Sequence, residues 1–182
     1  MTAAQFQSTV NFNQGFGVIG ELFDSSPRRT QPFVLNSASA AYNVFGRAFT
    51  ILGSFSSDVS IVETAQAGNP TGSGVFAGIL VNPKVAALIG DGANPLNPAL
   101  VLPNESTAEI LMMGSIIVYL GAAANVGDLV IYDNTTGVLS TITPSTSLPS
   151  GHSSAYAVVD RYPISAAGLA VITLTNVPKI PS

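Results

Sequence analysis

Between Gly114 and Gly137 the chain reads GSIIVYLGAAANVGDLVIYDNTTG, and no other stretch restricts the fold as much. Two short runs in it, residues 115–120 and 128–133, are rich in Ile, Val, Leu and Tyr and predict β-strands. The residues Asp133-Asn134-Thr135-Thr136-Gly137 predict a hairpin turn at the end of the second run. Gly137 takes a positive φ without a Cβ clash, and Asp133 or Asn134 can bond the turn's backbone. A surface strand alternates apolar and polar residues, whereas these runs are apolar on both faces. The sheet is therefore expected to be covered on both sides, by its own chain or by a partner. That pattern suits an assembly protein better than a catalyst.

The same pattern of short strands and turns recurs along the chain. Residues 44–52, 60–67, 75–81, 138–142, 155–164 and 169–175 read as strands, and 107–113 as a strand or a turn of helix. Gly78 inside its strand marks a bulge or a close backbone approach. Residues 84–89 read as one short helical turn, and 65–74, 90–103 and 143–154 as loops. No helix-period segment exceeds about two turns, so the expected fold is all-β, a single β-sandwich or barrel domain. The chain of 182 residues is long enough for one core. Residues 1–35 form an extended N-terminal arm or first strand, 36–176 the all-β domain and 177–182 a flexible tail. Gly15, Gly17, Gly20, Pro27 and Pro32 leave no room for a long helix in the arm. Its apolar teeth are Phe12, Phe16, Ile19, Leu22 and Phe23. Two readings of it stand open: a strand and loop packed on its own domain, or an arm lying on a neighbour.

Charged residues make up only 9% of the chain, against about 25% in ordinary soluble domains. Its surface must therefore be built largely from Ser, Thr, Asn, Gly and Ala, which lose water at low cost in a permanent protein contact. The net charge of −4 argues against nucleic acid as a partner, since Arg28-Arg29 is the only adjacent pair of cations. There is no cysteine, which excludes disulfides and thiolate metal sites. Residues 110–127 run for 18 positions without a charge, the length of a membrane helix. The span contains Gly114, Ser115, Gly121 and Asn125, lies between Glu109 and Asp128, and carries a β-branched run; it reads as strand, and no membrane partner is expected. No secretory signal is visible at the start of the chain.

The motifs that suggest chemistry do not assemble into a site. Gly15–Gly20 (GFGVIG) matches the dinucleotide fingerprint G-x-G-x-x-G, but the required helix does not follow and residues 35–45 hold no acid for a ribose. The glycines are better explained by a tight turn or a close approach to another backbone. His152, the only histidine, lies in a Ser-rich loop with no nucleophile elbow and reads as a solvated loop residue. One histidine and no cysteine do not make a zinc site. Asp128 and Asp133, five apart on one strand, point to opposite faces and are expected to serve the turns at its ends. Asn104-Glu105-Ser106 and Asn134-Thr135-Thr136 match the glycosylation sequon and are read as chance matches. No catalytic residue, cofactor or metal is therefore expected.

Five segments, in this order, resemble the structural cement, or decoration, proteins of tailed-bacteriophage capsids. They are GVIGELFDSSPRRTQPFVL at 17–35, GVFAGILVNPK at 74–84, LVLPNES at 100–106, MGSIIVYLGAAANVGDLVIYDNTTGVL at 113–139 and GLAVITLTN at 168–176. The resemblance implies a non-enzymatic β protein, jelly-roll-like in some members, on the capsid exterior of the virion. It implies that the chain bridges neighbouring major capsid protein subunits as a homodimer or homotrimer, and that it strengthens the expanded head against DNA pressure. With it goes an expectation that the arm over 10–32 contacts the shell or a sister subunit through Phe12, Phe16, Ile19, Leu22, Phe23, Arg28 and Arg29, the arginines pairing with carboxylates. The alternative for Arg28 and Arg29 is that they are simply solvated. A competing class, a surface or secreted β-sandwich module such as an adhesin or carbohydrate binder, calls for exposed Trp, and the chain has none. A hydrolase on a β scaffold lacks an assembled nucleophile and base.

Overall fold

The computed structural model describes residues 17–25, 27–57, 60–72, 74–83 and 101–175, with 53–57 and 60–62 described by their backbone alone. Nine strands lie among them: β1 (Arg29–Leu35), β2 (Ala48–Ser57), β3 (Ser60–Ala67), β4 (Val75–Leu80), β5 (Thr107–Leu120), β6 (Leu129–Asp133), β7 (Leu139–Ile142), β8 (His152–Arg161) and β9 (Gly168–Leu174). One 3-10 turn, Ala40–Tyr42, is capped by the Ser39 side chain. The fold is all-β, as the spacing of strands and turns predicts.

The strand order is β1-β3-β2-β4-β5-β9-β8-β6-β7, and β1 also pairs with β5. That extra pairing closes the first five strands into a small barrel. The remaining strands continue from β5 as an antiparallel sheet. β5 is therefore shared. Its first half pairs with β1 and β4, and its second half with β9. The change of partner falls at Gly114, whose φ of +123° is open to glycine and strained for other residues.

This arrangement explains why the strands are apolar on both faces. Phe33, Phe49, Leu80 and Ile110 fill the barrel. Their sequence neighbours Ala48, Ile79 and Leu111 point out of the barrel wall and join Ile116, Val118, Tyr132, Val159 and Ile172 in a second core under the antiparallel sheet. A period of two thus places successive apolar residues in two different cores.

The predicted hairpin turn joins the two halves. The Asp133 carboxylate accepts hydrogen bonds from the Thr135 and Thr136 amides and the Thr136 hydroxyl at 2.7–3.0 Å. Gly137 has φ +70°. The turn then docks on the barrel: Ala48 N donates to Gly137 O (2.9 Å), Asn69 N to Asn134 O (2.8 Å) and Arg47 Nη1 to Thr136 O (3.2 Å). At the other end of β6, Asp128 accepts from Asn125 N at 2.8 Å, so both aspartates serve turns as expected.

Several boundaries differ from the sequence reading. The strand expected at 44–52 begins at Ala48, because Gly46 (φ +75°) turns the chain after an isolated bridge between Val44 and Val101. Residues 107–113 are strand and run on without a break into the next predicted run. His152 is not a solvated loop residue; it opens β8 opposite Asp133 and is half-buried. Gly78 lies at a bulge, where Ala77 is an extra residue between the pairs Phe49–Gly78 and Thr50–Phe76. The helical turn expected at 84–89, most of the loop at 90–103 and the tail at 177–182 lie outside the described residues.

Candidate interaction surface

The N-terminal segment 17–24 crosses the free edge of the second half of β5. Gly20 N donates to Ile117 O, Ile117 N to Glu21 O and Phe23 N to Ser115 O, at 2.8–3.0 Å. Leu22 bridges Ile116 in antiparallel register. Gly20 has φ +81°, and a Cβ there would lie 2.9 Å from Phe45 Cβ and 3.0 Å from Asn82 N. Gly20, the last glycine of the motif, thus serves close backbone approach, and no α-helix follows it among the described residues. Ile116, Ile117 and Val118 are all fully buried, so the covering expected on both faces of this strand exists within the chain.

The residues expected in a partner contact fall into three groups. Phe12 and Phe16 lie outside the described residues. Ile19 and Leu22 are half-buried: the Ile19 carbonyl accepts from Asn82 Nδ2 (3.3 Å), and Leu22 packs on the second core. Phe23 is half-buried as well, and with Arg28 and Arg29 it lies beside Met113, Gly114 and Ser115. Arg28 and Arg29 are exposed, and Arg29 Nη2 lies 3.5 Å from Met112 Sδ.

Sequence reasoning missed two neighbours of this group. The Arg161 guanidinium carbon stands 5.6 Å from the Phe23 ring centroid, and the Tyr162 ring meets Phe23 edge-on at 6.0 Å. Both residues are exposed, and Tyr162 has φ +58°. Nothing local in Asp160-Arg161-Tyr162-Pro163 announces this contact, because it forms across more than 130 residues of chain.

No chemistry is assembled elsewhere among the described residues. No three His, Cys, Asp or Glu side chains gather as a metal site. His152 Nδ1 lies 3.2 Å from Ser150 O, in the turn just before β8. A groove of about 580 Å³ between Pro32, Phe45, Val81, Pro83 and Leu102 has Glu109 as the one titratable residue among its described lining residues. The perturbed groups are structural. Burial pushes the Tyr132 hydroxyl up to about 12, and burial lowers Arg47. Burial alone would raise the Asp133 carboxyl, but the bonds from Thr136 and Thr135 hold it below its ordinary value. Asn104, of the first sequon, spends its amide inside the fold, on Ser37 and Asn43.

The described residues form a nine-stranded all-β module whose surface gathers aromatic and arginine side chains at the edge of β5. Residues 6–175 match the family model of structural cement proteins (E217 gp24/Pam3 gp6), and the chain belongs to that family. It is a structural protein of the phage virion, at the capsid exterior. Among solved structures, a chain from the capsid of Myoviridae phage XM1 has the same fold. It has 20% identity and a TM-score of 0.61, covering 94% of this chain and 98% of that one. The N base of head fiber gp8.5 of bacteriophage phi29 aligns at 14% identity and a TM-score of 0.38, over 81% of this chain and 96% of that one. No curated protein sequence matches the chain.

Proposed function

We propose that the protein clamps neighbouring major capsid protein subunits on the outside of the expanded head, as a homodimer or homotrimer and without catalysis. The family match over residues 6–175 carries this reading. The physical chemistry supports it. With 9% charged residues, the surface gives up water cheaply when it is buried, and a symmetric oligomer closes such an interface efficiently. The contact residues are those of the arm, Phe12, Phe16, Ile19, Leu22, Phe23, Arg28 and Arg29. Ile19 and Leu22 serve by fixing the root of the arm to the domain.

A clamp that binds only the expanded lattice stabilises it by mass action. Calorimetry of expanded shells that lack the protein, with and without added protein, tests the proposal. The shell transition is expected to move to higher temperature as sites fill. A transition that stays in place at saturating protein would overturn the clamping role.

A further inference from the structure

We infer that Phe23, Arg28, Arg29, Arg161 and Tyr162 form one docking surface for an acidic segment of the shell protein. The inference rests on the proposed shell contact and names the chemistry of its partner. All five residues gather around three consecutive residues of β5. Arg29 pairs with Met113, Arg28 backs onto Gly114, and Phe23 N bonds Ser115 O. Arg161 and Tyr162 reach the same place from the end of β8 and pack on the Phe23 ring.

Charge identifies the partner. The chain is acidic, with a net charge of −4 and six cations. Four of the six, Arg28, Arg29, Arg47 and Arg161, fall among the described residues, and three of these lie here. Arg47 is half-buried and donates to Thr136 O. Among the described residues the guanidinium groups of the patch have few hydrogen-bond acceptors. Arg29 Nη2 faces a thioether at 3.5 Å, and Arg161 Nε has the exposed Asp160 carboxylate at 3.5 Å. A carboxylate-bearing segment would supply the bidentate acceptors that arginine favours. Tyr, Phe and Arg side by side are also the composition of an interface hot spot. Tyr162 holds its exposed ring at φ +58°, a strained conformation for a bulky residue and of a kind concentrated at binding sites.

Two other partners fit less well. Nucleic acid would meet a net negative protein whose three arginines in one place are accompanied by Asp160 and by the exposed Asp24 next to Phe23. A second copy related by a two-fold axis through the patch would set these arginines against themselves.

The test measures binding to expanded shells that lack the protein. Wild type is compared with Arg28→Glu/Arg29→Glu/Arg161→Glu and with Tyr162→Asn, after thermal melts confirm that each variant folds. The triple variant is expected to lose about tenfold or more in affinity, and wild-type binding to weaken with added salt. A poly-glutamate peptide is expected to compete with shells for the wild type. Asn tolerates the left-handed conformation, so Tyr162→Asn is expected to bind shells more weakly while melting no lower than wild type. Triple-variant binding indistinguishable from wild type, together with salt-insensitive association, would overturn the acidic partner and leave the shell contact standing. Wild type that binds no shell would overturn the shell contact itself. A wild-type oligomer that the triple variant dissolves would reassign the patch to a second copy. Capture of a single-stranded oligonucleotide, lost in the triple variant while shell binding persists, would reassign it to nucleic acid.

Discussion

At the scale of single residues, the joint between the two halves depends on Gly137 and Asp133 in one turn. Gly137 sits at φ +70°, where a Cβ would press on Ala48 O and on Gly68 N. Gly137→Ala is expected to cost about 3 kcal/mol, strain and overpacking together, measured by denaturant unfolding. Asp133 holds the same turn through its hydrogen bonds, and Asp133→Ala is expected to cost about 1–2 kcal/mol at neutral pH. Its depressed carboxyl gives stability that is present above the unfolded value near 3.8 and is lost as pH falls through the lower folded value. The stability gap between wild type and Asp133→Ala should therefore narrow in acid; a gap that stays constant would contradict the role of the charge. Tyr132 has the opposite sign. Its raised value gives a contribution complete below pH 10 that fades as pH rises through about 12. Tyr132→Phe is expected to flatten the alkaline limb of the stability profile, and an unchanged limb would count against it.

At the scale of elements, the segment 17–24 behaves as a tenth, short strand beside β5. Leu22→Ala is expected to cost about 1–2 kcal/mol, less than a fully buried leucine, because the side chain is only half-buried. The amides of Gly20, Phe23 and Ile117 should exchange slowly and together in hydrogen exchange; rapid exchange at Gly20 and Phe23 with protection at Ile117 would separate the segment from the sheet. The elements that sequence made legible are those whose signals are local. The turn at Asp133–Gly137 declares itself because Asp and Gly chemistry acts within four residues. The bulge at Gly78 does so because glycine inside an apolar strand needs a reason. What was not legible depends on distant partners. The double role of β5 hides in one apolar run, since Ile110 and Leu111 look alike although one fills the barrel and the other the second core. Closure of the barrel by β1 on β5 joins residues about 80 positions apart, a pairing that period-two reading does not encode. The same holds for the surface patch. Phe23, Arg28 and Arg29 were visible as apolar and charged residues in an arm, while Arg161 and Tyr162 joined them only through folding.

At the scale of the whole molecule, the design has an outcome for function. Both cores are covered by the chain itself, so the covered strand at 115–120 does not require a partner, and contact is left to a sparsely charged exterior. The arm's root is bonded into the sheet, which would let force on the arm pass directly into β5 and the barrel. The most direct measurement is co-sedimentation of the purified protein with expanded capsid shells that lack it, counting copies bound per shell. Binding is expected to saturate at a fixed icosahedral multiple, and the multiple would assign two-fold or three-fold positions. A protein that remains monomeric in solution and leaves the shells bare would contradict the clamp.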